Sequence, residues 1–308
     1  MGVTSRGIAL VGAPSSIGIR PYDESGLVRE IYRAPALFRE LELARRVSAA
    51  DIGDVLPPPY VDFDRPPGGA RNEAGVESYS RELGRRIAAA TAVGEFVLLV
   101  GGECSIVLGA LLGAREGSRG NVGLAYVDGH ADFATPSESV TGSVASMCLA
   151  LAVGRGDSPL ARLAGDEPLV RSRDVALLGR RDESEAWYGN AALAELGILD
   201  VTADEVNRRG GSLVALAALE RLTRPGLAGF WIHLDADVLD PAVMPAVDSP
   251  DPGGLSLDTV AELLVPLVHH PKALGLEITI YDPGLDPDGV CARRLAALLE
   301  RVLAGGRS

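Results

Sequence analysis

Short, nearly continuous apolar runs recur at Ile8 to Val11, Val47 to Ile52, Phe96 to Val100, Val122 to Val127, Val175 to Leu178, Ile198 to Val201, Phe230 to Leu234 and Ala273 to Ile278. Runs of this kind, rich in Val, Ile and Phe, are expected of strands buried on both faces of a parallel sheet. Between them Ala, Leu and Arg recur at three- and four-residue spacings over 75–93, 105–113, 143–153, 213–223, 256–269 and 291–303, which predicts helices. Ser256, three residues before Thr259, reads as an N-cap, and Gly94 and Gly305 stand where glycines end helices. The alternation predicts an α/β fold: a single three-layer domain over residues 1–308, with a mostly parallel eight-stranded sheet and helices on both faces. The Pro- and Gly-rich stretch 57–73 cannot be regular structure and is expected to form a lip near the site.

Chemistry collects where two of these runs end. Asp128, His130 and Asp132 follow one apolar run; Asp235 and Asp237, with Asp240-Pro241 beyond, follow another. Side chains at i, i+2 and i+4 of an extended chain share a face, so each set can converge, and open α/β sheets bind ligands at the C-terminal edge of their strands. Four such acids held together repel unless a cation joins them, which points to a binuclear metal site; the bland alternative is solvated loop acids pointing apart. The polar loop Thr135 to Ser143 follows directly and is placed to hold substrate.

Three further positions stand out. Cys104, in Gly101-Gly102-Glu103-Cys104-Ser105, sits at a strand end near a helix N-terminus, where a thiolate is favoured, although a lone cysteine is as often buried and inert. Glu277 ends an apolar strand and needs either a salt-bridge partner or a cationic ligand. His233 shares the strand face of Asp235 and Asp237, either to move protons or to hold a ligand from behind. His269 and His270, before Pro271, read as solvated or capping.

Bulk properties narrow the field. A formal charge of −13 argues against nucleic acid and anionic membranes and suits a cationic small molecule. The three cysteines are too few for a disulfide framework, and neither a signal-peptide pattern nor a long apolar span is evident, so the cytoplasm is the expected location. With little chain after the last predicted helix, a monomer is expected and a homo-oligomer stays open.

Taken together, the Gly12-Ala13-Pro14 loop, the Arg33-to-Arg39 helix start, both aspartate motifs and the Glu277 strand resemble the ureohydrolases, the arginase and agmatinase family, over almost the whole length. The resemblance implies an arginase-like fold and two Mn²⁺ per chain that hydrolyse a guanidino compound. Asp128 and Asp235 would bridge the metals, His130 and Asp237 would complete the second, and Asp132 would bind the first. Cys104 occupies the position of the family's first-metal histidine. Glu277 would pair with the guanidino nitrogens, Asp132 would relay a proton to the departing amine, and His233 is a candidate replacement shuttle. Thr141 and one of Glu183 or Glu185 would read the amino-acid end.

Two departures bear on substrate: Ala145 stands where the arginases have a proton-shuttling histidine, and Ala134 replaces a substrate-loop asparagine. Cys104 as ligand together with Ala145 resembles the branch of the family that turns Nω-hydroxy-L-arginine into hydroxyurea and L-ornithine in D-cycloserine biosynthesis. The alternatives are another ureohydrolase, acting on L-arginine, agmatine or a guanidino acid, and a metal-binding pseudoenzyme.

Overall fold

In a computed structural model that describes residues 6–22, 25–61, 65–184 and 190–304, the apolar runs become β1 (Ile8–Ala13), β2 (Ala49–Asp54), β3 (Phe96–Gly101), β4 (Asn121–Val127), β5 (Val175–Leu178), β6 (Leu199–Val201), β7 (Leu227–Asp235) and β8 (Ala273–Thr279). They form one eight-stranded sheet in the order β2-β1-β3-β8-β7-β4-β5-β6. Every neighbouring pair is parallel, so the expected mostly parallel sheet is parallel throughout. β1, β3 and β5 are buried along their whole length, whereas the edge strand β2 is half-exposed. That contrast accounts for the pattern, because a strand covered on both faces has no position that tolerates a polar residue without a role.

The helices are α1 (Ala34–Glu40), α2 (Leu43–Arg46), α3 (Glu73–Ala92), α4 (Ile106–Ser118), α5 (Cys148–Ala152), α6 (Asn190–Glu195), α7 (Ala203–Arg209), α8 (Gly211–Leu222), α9 (Leu257–Val268) and α10 (Val290–Ala304). α3, α4 and α5 pack as one layer, and α1, α2, α8, α9 and α10 as the other. α3 and α4 touch backbone to backbone: a Cβ on Gly113 would lie 2.5 Å from the Gly84 carbonyl oxygen, and only glycine permits that approach. Ser256 Oγ accepts from the Thr259 amide at 3.0 Å, and Gly94 ends α3's cap with φ +84°, as their positions predicted. Gly305 lies outside the described residues. The predicted helix 143–153 is instead a 3₁₀ turn, Val144–Met147, leading into the short α5. α7 escaped the pattern because it is short and polar. Its signature is a capping box, with Thr202 accepting from the Glu205 amide. Among the described residues no helix is long and apolar enough to cross a membrane.

Topology carries the site-forming segments together. β3, β8, β7 and β4 are consecutive across the middle of the sheet, so the residues at and after their C-terminal ends meet along one edge although they span positions 101 to 280. The register is close as well: His233 lies beside Tyr126 on one side and Glu277 on the other, forming a polar row across three adjacent strands.

Candidate active site

The cavity at this edge, about 930 Å³, is lined by Cys104, Asp128, His130, Asp132, Asp235 and Asp237. All six expected metal ligands therefore converge. Among the described residues, five of the six fall into two donor groups, Asp128–His130–Asp237 and Cys104–His233–Asp235, the second completed by His233, each with its atoms inside 4.8 Å of one another; Asp132 belongs to neither. Backbone geometry sets the aim. The Asp237 amide donates to Asp235 Oδ1 at 2.9 Å and the His130 amide to Asp128 Oδ1 at 2.7 Å, while Asp132 turns in with φ +47°. Glu103 anchors the turn carrying Cys104, accepting from Ser15 Oγ, the Gly18 amide and the Ser105 amide and hydroxyl.

Without cations this cluster carries its charge badly. Burial pushes the carboxyls of Asp132, Asp235 and Asp237 up from their ordinary values, with repulsion from Asp128 and from one another adding to the shift. For Asp128 burial works in the same direction but is outweighed by the imidazoles of His130 and His233, which hold it below its ordinary value. Burial favours neutral His130, yet Asp237, Asp128 and Asp251 raise it well above the usual range. The Cys104 thiol is pushed up by burial and then by Asp235, whose Oδ2 it approaches at 2.8 Å. The helix N-terminus does not make it a thiolate on its own; that needs a cation. Asp128 Oδ2 and His233 Nε2 are buried with no hydrogen-bond partner. Acids driven to hold protons, beside orphaned donor atoms, fit a site built for divalent cations.

Two residues are not where the sequence placed them. Glu277 does not reach the cavity: fully buried, it holds His233 Nδ1 at 2.6 Å. β8 runs on to Thr279, and the residue it delivers to the cavity is Ile280, a β-branched side chain held at φ +66° with its amide donating to Gly102 O. His233 is likewise fully buried and absent from the lining, stacked on Tyr126 with centroids 4.2 Å apart, and is no shuttle to a substrate there. Asp132 does line the cavity, its Oδ2 accepting from the Tyr126 hydroxyl at 2.7 Å.

The substrate loop divides too. Thr141 lines the cavity with Ser143, Ala145 and Ser146, but Glu183 is exposed and outside the lining; Asp182, paired with Arg180, takes that wall. Glu185 lies outside the described residues. Sequence reasoning also missed Asp251, which meets His130 Nε2 at 3.1 Å, and Arg181, which donates to the Asp237 and Asp251 carbonyls. Asp251 and Arg181 could be flagged from sequence only by proximity to the motifs in space. No described residue of the 57–73 stretch lines the cavity; it braces the loop from outside, Arg65 donating to the carbonyls of Pro136 and Ser139 and Arg71 to that of Thr141. His269 caps, its Nε2 meeting Val302 O at 2.9 Å.

The arginase family model matches residues 6–305. The chain belongs to the arginase family. It is therefore a hydrolase acting on linear amidines, in a family that depends on paired metal ions. It is 28% identical to an arginase of Bacillus subtilis over 303 residues, 96% of this chain and 97% of that one. Among solved structures it resembles arginase from Bacillus cereus (TM-score 0.82, 25% identity, 98% of this chain and 100% of the other). It also resembles arginase from Bacillus caldovelox (TM-score 0.83, 25% identity, 97% and 98%). The all-parallel eight-stranded sheet matches the fold of these arginases.

Proposed function

We propose that this arginase-family chain hydrolyses Nω-hydroxy-L-arginine to hydroxyurea and L-ornithine with two Mn²⁺ ions, as a step in D-cycloserine biosynthesis. The observation that carries the reading is the lining of the cavity. Among the described residues His130 is its only histidine, that imidazole belongs to a metal-donor group, and the substrate-loop position beside it is Ala145. An imidazole acid/base contributes about 10²–10⁴-fold, so its loss favours a substrate that needs less help. The hydroxyl on the guanidino group lowers its basicity and its resonance stabilisation, making the central carbon easier to attack. The pathway rests on Cys104 and Ala145 occurring together.

In this reading Asp128, His130, Asp132, Asp235, Asp237 and Cys104 hold the cations, which when bound would make water nucleophilic near neutral pH. One C–O bond forms at the guanidino carbon and its bond to Nε breaks, so that Nε departs as the δ-amine of ornithine; the water oxygen leaves in hydroxyurea. The departing ornithine amine needs a proton, and Asp132, with Oδ2 fixed by Tyr126, can hold it on Oδ1. In the same reading Thr141, Ser143 and Ser146, which line the cavity, would receive the amino-acid end. A second reading, L-arginine as substrate, draws on the likeness to the Bacillus arginases.

The test is ornithine release by Mn²⁺-loaded protein from both substrates in parallel, with hydroxyurea and urea quantified. Preference for the hydroxylated substrate is expected. A kcat/KM favouring L-arginine would overturn the reading.

A further inference from the structure

Behind the cavity floor lies an arrangement that neither substrate reading uses. His233 is completely buried in the middle of β7. Its Nδ1 meets Glu277 Oε1 at 2.6 Å, and its ring is held against Tyr126 with the two planes 16° apart. Both contacts fix where the other nitrogen points. Nε2 has no hydrogen-bond partner; its nearest acid oxygen, Asp128 Oδ2, is 3.7 Å away and is orphaned too. An unpartnered imidazole nitrogen in a dry interior is costly unless something else fills its lone pair. A carboxylate on the far nitrogen is the arrangement that orients metal-binding histidines and raises their basicity. His233 stands with Cys104 and Asp235 in one donor group whose ligand atoms lie within 4.8 Å of one another, and with Nδ1 held by Glu277 the nitrogen left to serve it is Nε2.

We propose that His233 is itself a metal ligand, its Nε2 forming with Cys104 Sγ and Asp235 a thiolate–imidazole–carboxylate seat for one divalent cation of borderline softness, Zn²⁺, Co²⁺ or Fe²⁺ in preference to Mn²⁺. The proposal rests on the reading of this cluster as a metal centre and changes what its deeper half selects. Thiolate and imidazole suit the later first-row metals, while hard oxygen donors suit Mn²⁺. Zn²⁺ is commonly held by S, N and O donors about 2.0–2.3 Å away. The thiol proton shared between Cys104 and Asp235, 2.8 Å apart, is what the ion would displace. Glu277 then becomes a positioning residue acting through His233.

Anaerobic titration of the metal-stripped full chain with Co²⁺ reads this directly, without turnover. A thiolate-to-Co²⁺ charge-transfer band in the near ultraviolet is expected. The proton NMR spectrum of the loaded wild-type protein should show two solvent-exchangeable, paramagnetically shifted imidazole N–H signals, from His130 and His233. His233→Gln should lose the band's seat, with Co²⁺ affinity there falling by more than the ~10–100-fold typical of an outer-shell contact. Zn²⁺ should displace Mn²⁺ at one site per chain. A thiolate band with a single shifted N–H signal would overturn His233 as ligand and leave the metal centre standing. No Co²⁺ uptake at all would sink the centre and this proposal with it. The NMR count needs no variant, so it decides even if His233→Gln does not fold.

Discussion

The two donor groups on the sheet edge differ in their surroundings more than in their aspartates. The Asp128–His130–Asp237 group faces the rim: His130 reaches Asp251, whose side chain is 61% exposed, and Arg181 bonds the neighbouring carbonyls. The Cys104–His233–Asp235 group lies on the floor, backed by the stacked Tyr126 ring and a carboxylate sealed from solvent. Rim residues come from loops beyond the strands, whereas His233 and Asp235 are still on β7. One sheet edge thus makes two buried seats, one of carboxylates and an imidazole beside the exposed Asp251 and one that adds a thiol and is backed by Tyr126 and Glu277.

Asp128 faces both seats, so Asp128→Ala should break the comparison altogether. Cation chemistry is worth several kcal/mol of transition-state stabilisation, so kcat should fall about 10³-fold or more. Bound metal per chain, measured by elemental analysis, should fall with it. Cys104→Ser should act on the floor alone, weakening one of two metals by more than the ~10–100-fold typical of an outer-shell contact while the rim metal stays; equal loss of both would erase the distinction. Asp251→Asn is the mirror experiment: a loss at the low end of that ~10–100-fold range, confined to the rim metal, read by the same titration.

Acidity tests both seats at once. Metal-free, the raised groups Asp132, Asp235, Asp237, His130 and His233 all bind more protons folded than unfolded, while Asp128 and the rim partner Asp251 run the other way. Stability must therefore fall as pH rises. For His233, burial opposes the charge but Asp128 and Glu277 lift it to about 10, so its contribution is full below about 6.5 and lost on the way up to about 10. The Tm of stripped protein should drop between about pH 6 and 9, while metals, which displace those protons, should reverse the slope. A flat profile for stripped protein would contradict the crowding of charge. The smallest effect is expected away from both seats. Glu138 ties the substrate loop to Arg155, which holds its carboxyl down at about 2. This depressed group stabilises above its unfolded value near 4.3 and ceases to as pH falls toward 2, and Glu138→Gln should cost at most about 1 kcal/mol in denaturant titrations, since the carboxylate is 43% exposed.

How much of this could be read from the chain differs from element to element. The inner strands were legible because they are covered on both faces, and the five candidate ligands from Asp128 to Asp237 because period-2 spacing is a local signal. The roles of Glu277 and His233 were not, since both depend on how far β8 and β7 extend and on their register against each other. A strand end that looked like Glu277 is in fact Ile280, three residues on, and no propensity predicts a β-branched residue at φ +66°. The rim partners Arg181 and Asp251 are 70 residues apart, and nothing in either segment announces the other.

The place of β8 also orders the birth of the molecule. It is the last strand in sequence yet sits between β3 and β7, so without it the blocks β2-β1-β3 and β7-β4-β5-β6 share no strand pairing. Each block is assembled from contiguous chain and can form as synthesis proceeds, but Cys104 belongs to one and the aspartates to the other. Insertion of Ala273–Thr279 is then the closing event, and it carries the buried acid that fixes His233. A nascent chain short of this segment has two unpaired parallel edges in its middle, an invitation to aggregation, and lacks the strand that joins the block carrying Cys104 to the block carrying the aspartates. Metal capture and completion of the sheet would be one and the same step.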